Sequence, residues 1–305
     1  MNVIDRAYDW VVARLMVWRH RSKYFDHFSR AILRYDDVNG GRLAAAIAYY
    51  GFFAVFALLL IGYSIFGILL NNNDELFDIV REFLAQNLPF LDTQQILDSG
   101  RTVGVVGIIG LIWTGLGWIE AIRSSQRAIW RIDEHPGYIG VRQLVDLAVL
   151  LGILTLLGLS VGAINLLEQL LAWLSDGHAG WLLTLMSWIA TISINMLLAA
   201  ALLAAVPRLR MTVRRMVPPV LQVGIGITLL NTVGKYAIGI VERNPAYGLV
   251  ASAVGVLFYL YVFNQVLLFG AAWAATSPHG RVVDLAADDK NTPVGQNTWI
   301  RHRSP

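Results

Sequence analysis

The sequence predicts an all-α integral membrane protein with six transmembrane helices, amphipathic N-terminal interfacial helices and both termini in the cytoplasm. Hydrophobic residues make up 56% and charged residues only 15% of the 305 positions. A soluble domain of this composition would have too little polar surface to cover itself. Six apolar segments also reach the roughly 20 residues that cross a ~30 Å hydrocarbon layer. The third observation is that basic residues concentrate in alternate connecting segments.

Each apolar segment is expected to be a helix, because backbone polar groups in lipid must be satisfied within the segment itself. The predicted spans are 43–70, 102–122, 144–171, 181–206, 217–241 and 247–276. They form a transmembrane domain over 36–276, between an N-terminal interfacial region, 1–35, and a polar, flexible tail, 277–305.

The distribution of lysine and arginine sets the predicted orientation. Most of the 24 basic residues lie before the first span, in the second and fourth connections, and in the tail. Because cytoplasmic loops carry the excess of Lys and Arg, both termini are predicted to be cytoplasmic. The protein is therefore expected to cross its membrane several times.

The N-terminal region carries two apolar sets at helical spacing. The first set runs from Val3 to Met16, and the second contains Phe25, Phe28, Ile32 and Leu33. This periodicity predicts two amphipathic helices. Nearby basic residues favour a position in the interface beside anionic lipid. The alternative is a helical cap that packs on the ends of the spans.

Four segments carry a family pattern: "RLAAAIAYYGFFAVFALLLIGYSIFG", "GWIEAIRSSQRAIWRIDE", "AAVPRLRMTVRRMVPPVLQVG" and "AYGLVASAVGVLFYLYVFNQVLLFGAAWAAT". In order and spacing they resemble the YihY/BrkB family of bacterial inner-membrane (cytoplasmic-membrane) proteins, in its YhjD-like branch, and the resemblance covers about 30–276. The resemblance implies six spans, both ends inside, and a role in export of envelope material. The sequence departs from the pattern at Ala57, where proline is usual, and at Ala272, where glutamate is common.

Charged residues near the predicted cytoplasmic side are candidates for a gate. Asp36 and Asp37 precede the first span, and Asp36, Asp37 or Asn39 is predicted to cap its N-terminus. Alternatively, one of them pairs with Arg123 or Arg127. Glu120, Arg123 and Arg127 share one helix face at the end of the second span. They form either an inner gate or anionic head-group site, or ordinary interfacial anchors.

Polar and aromatic residues within the spans are candidates for a substrate cavity. Lys235 and Asn231 lie one turn apart in the fifth span, and a buried cation there would attract phosphate or carboxylate. Snorkelling of the lysine and interhelical amide pairing are the alternatives. The other predicted cavity residues are Tyr236, Gln222, Asn264, Gln265, Tyr49 and Tyr50. Gly51 is a predicted bend point in the first span.

Several chemistries lack their motifs in this sequence. It has no cysteine, no phosphate-binding Gly-Lys-Ser/Thr loop, no Gly-x-Ser-x-Gly and no histidine spacing for a metal. The older label of ribonuclease BN, used for some members of the family, therefore has no support from residues, and neither an enzyme nor a cofactor nor a nucleic-acid partner is expected.

The expected function is translocation or export of a cell-envelope lipid or lipid-linked glycan. The alternatives are a secondary transporter or channel for a small solute or ion, and a structural envelope-assembly factor. The expected partners are membrane lipids, an anionic lipid or lipid-linked glycan as substrate, and a second copy of the chain.

Overall fold

The computed structural model of the chain describes residues 22–70, 93–174, 180–241 and 248–287. In these ranges the protein is a helical bundle with one two-stranded sheet. Its elements are α1 (Lys23–Asp37), α2 (Gly40–Leu70), α3 (Thr93–Trp130), α4 (Ile139–Leu174), α5 (Gly180–Ala200), a π-helical turn (Ala201–Ala205), β1 (Leu209–Met211), α6 (Val213–Val241), α7 (Gly248–Thr276) and β2 (Val282–Asp284).

Helices α2 to α7 confirm the six predicted spans. In the described ranges, six helices are long and apolar enough to cross a membrane. The largest difference in length is at α3, which has 38 residues and continues through Arg123 and Arg127 to Trp130. The sequence predicted an end near residue 122 because charge usually marks the end of a span. Here the two arginines are buried, so the helix continues past them.

The junction between α1 and α2 corrects the predicted role of the acid pair. Asp36 and Asp37 form the last turn of α1 and do not cap α2. The turn lies at Asn39, whose φ of 54° is left-handed. Its N–H donates to the Asp36 carbonyl over 2.8 Å, and its own carbonyl accepts from Arg42 N–H over 2.8 Å. The chain reverses there because Gly40 lacks a side chain, which would overlap the Tyr35 ring.

Helix α1 packs against the bundle, as in the cap alternative. His27 Nε2 lies 3.0 Å from the Trp273 carbonyl oxygen, and the Phe28 and Phe269 rings are 5.8 Å apart. Burial raises the pKa of Tyr35 to about 12, with a smaller contribution from Tyr261. The predicted amphipathic helix is therefore present at 23–37, while the first set, 3–16, lies outside the described residues.

Helices α2 and α3 pack closely through small residues. A side chain at Gly51 would come within 2.9 Å of Trp118 Nε1, so this glycine admits a neighbouring ring. Gly117 lies in the same way beside Tyr50, and Gly110 beside Ala57. Small residues that permit close approach are typical of helix pairs in membranes. Helix packing therefore explains the glycine at position 51, and the bend predicted there stays a prediction.

The beginning of the predicted flexible tail is folded. Strand β2 pairs antiparallel with β1, with Leu209 opposite Asp284 and Met211 opposite Val282. Val282 is buried in a small cluster with Trp130, Leu209 and Ala274. Residues 277–287 are thus part of the folded domain, contrary to the sequence prediction, because their apolar side chains cover the ends of α3 and α7. Residues 288–305 lie outside the described ranges.

Candidate functional site

The candidate site lies at the end of the bundle that carries the arginines, here called the basic end. It is formed by α1, the C-terminal turns of α3 and α7, the N-terminal turns of α4 and α6, and the β1–β2 sheet. Four arginine residues there are buried: Arg34, Arg123, Arg127 and Arg215. A charge removed from water is costly unless it is paired and hydrogen-bonded. The partners of these arginines therefore define the site.

Arg127 joins α3 to the C-terminal segment. Its guanidinium binds Asp284 through two hydrogen bonds, with Nη1 3.0 Å from Oδ1 and Nη2 2.6 Å from Oδ2. The same side chain donates to the carbonyls of Asp133 and Pro207. Such bidentate Arg–carboxylate pairs are the strong, directional class of hydrogen bond. Arg127 is thus neutralised by a carboxylate 157 positions away in the chain.

Arg123 joins α3 to α4. Its Nε lies 3.1 Å from Asp146 Oδ1, and its Nη1 donates to the Glu134 carbonyl over 2.7 Å. The predicted neighbour Glu120 is also a partner, at 3.5 Å from Nη2. Arg208 binds the same carboxylate oxygen, with Nη2 2.8 Å from Asp146 Oδ1. One buried carboxylate therefore holds two arginines.

The predicted contact between the acid pair and Arg123 or Arg127 is not formed. Asp37 Oδ2 instead lies 2.8 Å from Arg131 Nη2, in a pair whose side chains are 55% and 34% exposed. Arg123 and Arg127 point into the bundle, where Asp146 and Asp284 neutralise them. Asp37 lies on the outer side of the α1–α2 turn, so its ion pair with Arg131 of α3 is exposed to solvent.

Two other buried arginines bind helix ends. Arg215 donates from Nε to the Ala274 carbonyl over 2.8 Å and from Nη2 to the Ala275 carbonyl over 2.9 Å. A cation at the C-terminus of α7 also suits the helix dipole. Arg34 donates to the Ile129 carbonyl over 3.4 Å at the end of α3. Burial, with a smaller effect of Arg131, lowers the pKa of Arg34 to about 10.

The π-helical turn is tied to the arginine cluster by a glutamine. Gln126 is fully buried and donates from Nε2 to the Leu202 carbonyl over 3.0 Å. A π-helical turn displaces carbonyls from the regular α pattern, and such turns are frequent at functional sites. The turn is followed by Arg208, whose φ of 60° is left-handed. Gln126 and the turn together fix the position of Arg208.

A cavity of about 430 Å³ lies beside this cluster. Its walls come from the loop before α4, the first turns of α4, the π-helical turn, and the residues after β2. The lining residues are Pro136, Gly137, Tyr138, Val141, Arg142, Val145, Ala204, Ala205, Arg208, Leu285 and Ala286. The cavity is therefore apolar except for the backbone and two arginines.

Among the described residues, the predicted polar cavity residues of α6 and α7 have separate hydrogen-bond partners or lie half-buried on their helices. Asn231 accepts a hydrogen bond from the Tyr259 hydroxyl, and Asn264 donates to the Leu260 carbonyl of its own helix over 2.7 Å. Gln222 and Gln265 are half-buried on α6 and α7. Lys235 and Tyr236 belong to α6, but their side chains lie outside the described part of the chain. Their predicted role in a cavity stays a prediction.

The two tyrosines predicted to line the cavity lie on the outside of α2. Tyr49 and Tyr50 are 58% and 44% exposed, and their ring centroids are 5.8 Å apart. Tyr49 also meets Phe53 edge to face at 5.0 Å. This face of α2 does not contribute to the cavity at the basic end.

Sequence reasoning missed Asp146, Asp284 and Gln126. Asp146 had a usable signal, because it lies two residues inside the predicted third span, whose other carboxylate is Glu168 near the opposite end. Asp284 gave no such signal in the sequence, because it follows two valines in a segment that has the composition of a polar tail. Gln126 gave no signal beyond its place between two arginines on a helix.

Comparisons with known proteins agree with the membrane architecture. The model of the family described as "Virulence factor BrkB" matches residues 31–294. The "Inner membrane protein YhjD" of Escherichia coli (strain K12) is 24% identical over 279 residues, which cover 85% of this chain and 83% of the relative. An uncharacterized protein of Dickeya dadantii (strain 3937) is 28% identical over 283 residues, covering 85% of this chain and 86% of the relative. No solved structure gives a significant match.

Proposed function

Because the chain belongs to the BrkB family and is a multi-pass inner-membrane protein, we propose that it translocates an envelope lipid or lipid-linked glycan without covalent chemistry. The basic end faces the cytoplasm, as the arginine distribution predicts. The substrate enters from the side of the bundle and crosses with its polar part shielded by the protein.

One observation carries this proposal: buried ion pairs join the elements of the basic end, and a cavity with a mostly apolar lining lies beside them. The pairs are Arg123 with Asp146 and Arg127 with Asp284. The cavity adjoins the α4 surface, where Tyr138, Val141 and Leu144 are exposed and apolar. A small solute needs a water-filled path along the bundle, whereas a lipid needs an opening toward the bilayer at the side of the bundle.

The buried ion pairs at the basic end also support a gate that can open, in place of a permanently closed contact. Charged residues inside membrane proteins mark pathways and switching elements. The arginine partners come from α3, α4, the π-helical turn and the C-terminal segment, so a small movement of one element affects the others. The predicted gate residues Glu120, Arg123 and Arg127 are part of this arrangement.

A structural assembly factor is the second candidate, and the deeper polar pairs favour it. Asn195 Nδ2 donates to Thr228 Oγ1 over 3.0 Å, between α5 and α6. Tyr259 and Asn231 pair between α7 and α6. These groups satisfy one another across helix contacts, as they would in a protein whose spans do not rearrange.

The test is lipid transfer between leaflets in proteoliposomes. Purified protein is reconstituted with phosphatidylglycerol carrying a fluorescent head group, and a membrane-impermeant quencher reports label on the outer leaflet over time. We expect transfer faster than in protein-free vesicles, with no leak of a trapped ionic dye. Transfer at the protein-free rate contradicts translocation and favours the assembly factor. Dye leak without lipid transfer favours the solute channel.

A further inference from the structure

We propose that the cavity at the basic end binds the phosphate of an anionic lipid between Arg142 and Arg208, with the lipid's glycerol and chain starts against its apolar wall. This inference rests on the proposed function in identifying the bound lipid as the transported class. A lipid head group and free inorganic phosphate would offer the same phosphate oxygens to the two arginines. The apolar wall favours the lipid, because only the lipid has apolar groups that can contact it.

The two arginines are held in place by the protein backbone. Arg208 Nη2 donates to the Arg142 carbonyl over 2.9 Å, which fixes one residue against the other. Arg142 Nη1 donates in turn to the His135 carbonyl over 3.3 Å. The Arg208 carbonyl accepts from Leu285 N–H over 2.9 Å. Preorganised guanidinium groups lose little freedom when they bind an oxyanion.

The charges around the cavity leave positive charge for a ligand. Among the described residues, Arg123, Arg142 and Arg208 form ion pairs with two carboxylates, those of Glu120 and Asp146. Arg142 Nη2 is 3.8 Å from Glu120 Oε1, which is beyond hydrogen-bond distance. A phosphate between Arg142 and Arg208 would balance this excess. Arg–phosphate hydrogen bonds are charge-assisted and geometrically specific.

Arg208 has binding capacity that the protein does not use. Its side chain is 13% exposed. Its Nε is enclosed by protein and has no hydrogen-bond partner among the described residues, so the guanidinium must turn to present this N–H to a ligand in the cavity. The residue also adopts a left-handed φ of 60°, a conformation that costs free energy in a non-glycine residue and clusters at ligand sites. The chain accepts this conformation where it points an arginine at the cavity.

The size and lining of the cavity fit a phospholipid head group. A volume of about 430 Å³ is within the range of small-molecule sites. Val141, Val145 and Leu285 supply apolar surface, and Gly137 has open space on its side-chain side. Basic pockets between membrane helices at the cytoplasmic side are recognised lipid head-group sites.

Native mass spectrometry of the purified full chain tests the site. The probes are phosphatidylglycerol, phosphatidylcholine and inorganic phosphate, each added separately to the detergent-solubilised protein. We expect retention of phosphatidylglycerol over phosphatidylcholine. In the double variant R142Q/R208Q, retention should fall about tenfold, as expected for lost charge-assisted hydrogen bonds. The matched control is R210Q/R214Q, which removes two exposed arginines next to the site and should retain the lipid.

A second variant tests the apolar wall without touching either arginine. Ala205→Phe fills the cavity from the π-helical turn. We expect it to reduce lipid retention while the thermal unfolding midpoint stays close to that of the wild type. Wild-type retention in R142Q/R208Q or in the Ala205 variant overturns the proposal. Binding of inorganic phosphate that displaces the lipid also overturns it, because the site would then serve a soluble anion.

The failure of this site and the failure of the proposed function give different results. If the wild type binds phosphatidylglycerol in a manner sensitive to R142Q/R208Q but transfers none between leaflets, the site stands and translocation fails. If R142Q/R208Q transfers the lipid at the wild-type rate and retains it equally, translocation stands and the site fails.

Discussion

Polar groups are buried in two regions of the bundle, and each region satisfies them differently. At the basic end, Arg123 and Arg127 each bind a carboxylate and backbone carbonyls from several elements. Deeper in the bundle, the amides of Asn195 and Asn231 make single contacts with hydroxyls of one neighbouring helix. Charge requires a network, whereas a neutral amide needs only one partner.

The difference shows where the sequence concentrates its structural specificity. A network with partners from four elements forms only when all of them are in place. A single amide–hydroxyl pair can form whenever two helices are adjacent. Substitutions that break the two kinds of contact should therefore differ in the size of their effect on stability. The first two experiments below compare these effects, and the third tests a smaller effect at α1.

The largest effect is expected for Asp284→Asn. It leaves the buried Arg127 guanidinium without a counter-charge, and breaking a buried pair costs about 3–5 kcal/mol. The measurement is the free energy of unfolding in mixed micelles. The control is Asp37→Asn, which breaks the exposed pair with Arg131 and should cost at most about 1 kcal/mol. Equal losses for the two variants would contradict the distinction between network and surface pair.

A smaller effect is expected for Asn195→Leu. This change removes the hydrogen bond to Thr228, and such bonds in membrane helices contribute about 0.6 kcal/mol on average, with a maximum near 1.7. The control on the same helix is Ser193→Ala, because the Ser193 hydroxyl donates to the Ile189 carbonyl of its own helix over 2.8 Å and not to a neighbouring helix in the described part of the chain. A loss for Asn195→Leu as large as that for Asp284→Asn would show that the deeper amide belongs to a network.

The smallest effect is a pH dependence at α1. Burial lowers the pKa of His27 from 6.5, with Arg30 and His279 acting in the same direction and the Trp273 carbonyl and Asp26 opposing them. Since the unfolded segment binds the proton more readily, this contribution is present above pH 6.5 and is lost as pH falls below it. We expect hydrogen exchange in 23–37 to accelerate a few-fold at low pH relative to the intrinsic rate. His27→Gln should remove this dependence, and an unchanged pH profile would exclude His27 as its origin.

The six spans were accessible from the sequence because each depends on local composition. A long apolar run must form a helix in lipid whatever its neighbours are. The shared face of Glu120, Arg123 and Arg127 was equally accessible, because helical spacing alone determines it. The turn at Asn39 was not, since the sequence does not distinguish an acid that caps α2 from one that ends α1.

The partners of the buried arginines depend on tertiary contacts and could not be read from the sequence. Asp146 and Asp284 have no motif that links them to Arg123 and Arg127. The folded part of the tail was missed for the same reason, since three residues pair with β1 only after the whole bundle has formed. The cavity likewise depends on three separated segments, and the sequence predicted no cavity from any of them.

The position of Asp284 has a consequence for biosynthesis. Arg127 leaves the ribosome long before its carboxylate partner, which follows the sixth span by only a few residues. Throughout insertion of the later helices, the end of α3 carries a cation whose permanent counter-ion does not yet exist. The pair can form only once residue 284 has been synthesised, so a chain truncated before that residue retains an uncompensated buried charge. A quality-control protease would thereby meet chains that lack Asp284 in a destabilised form and chains that contain it in a stable form.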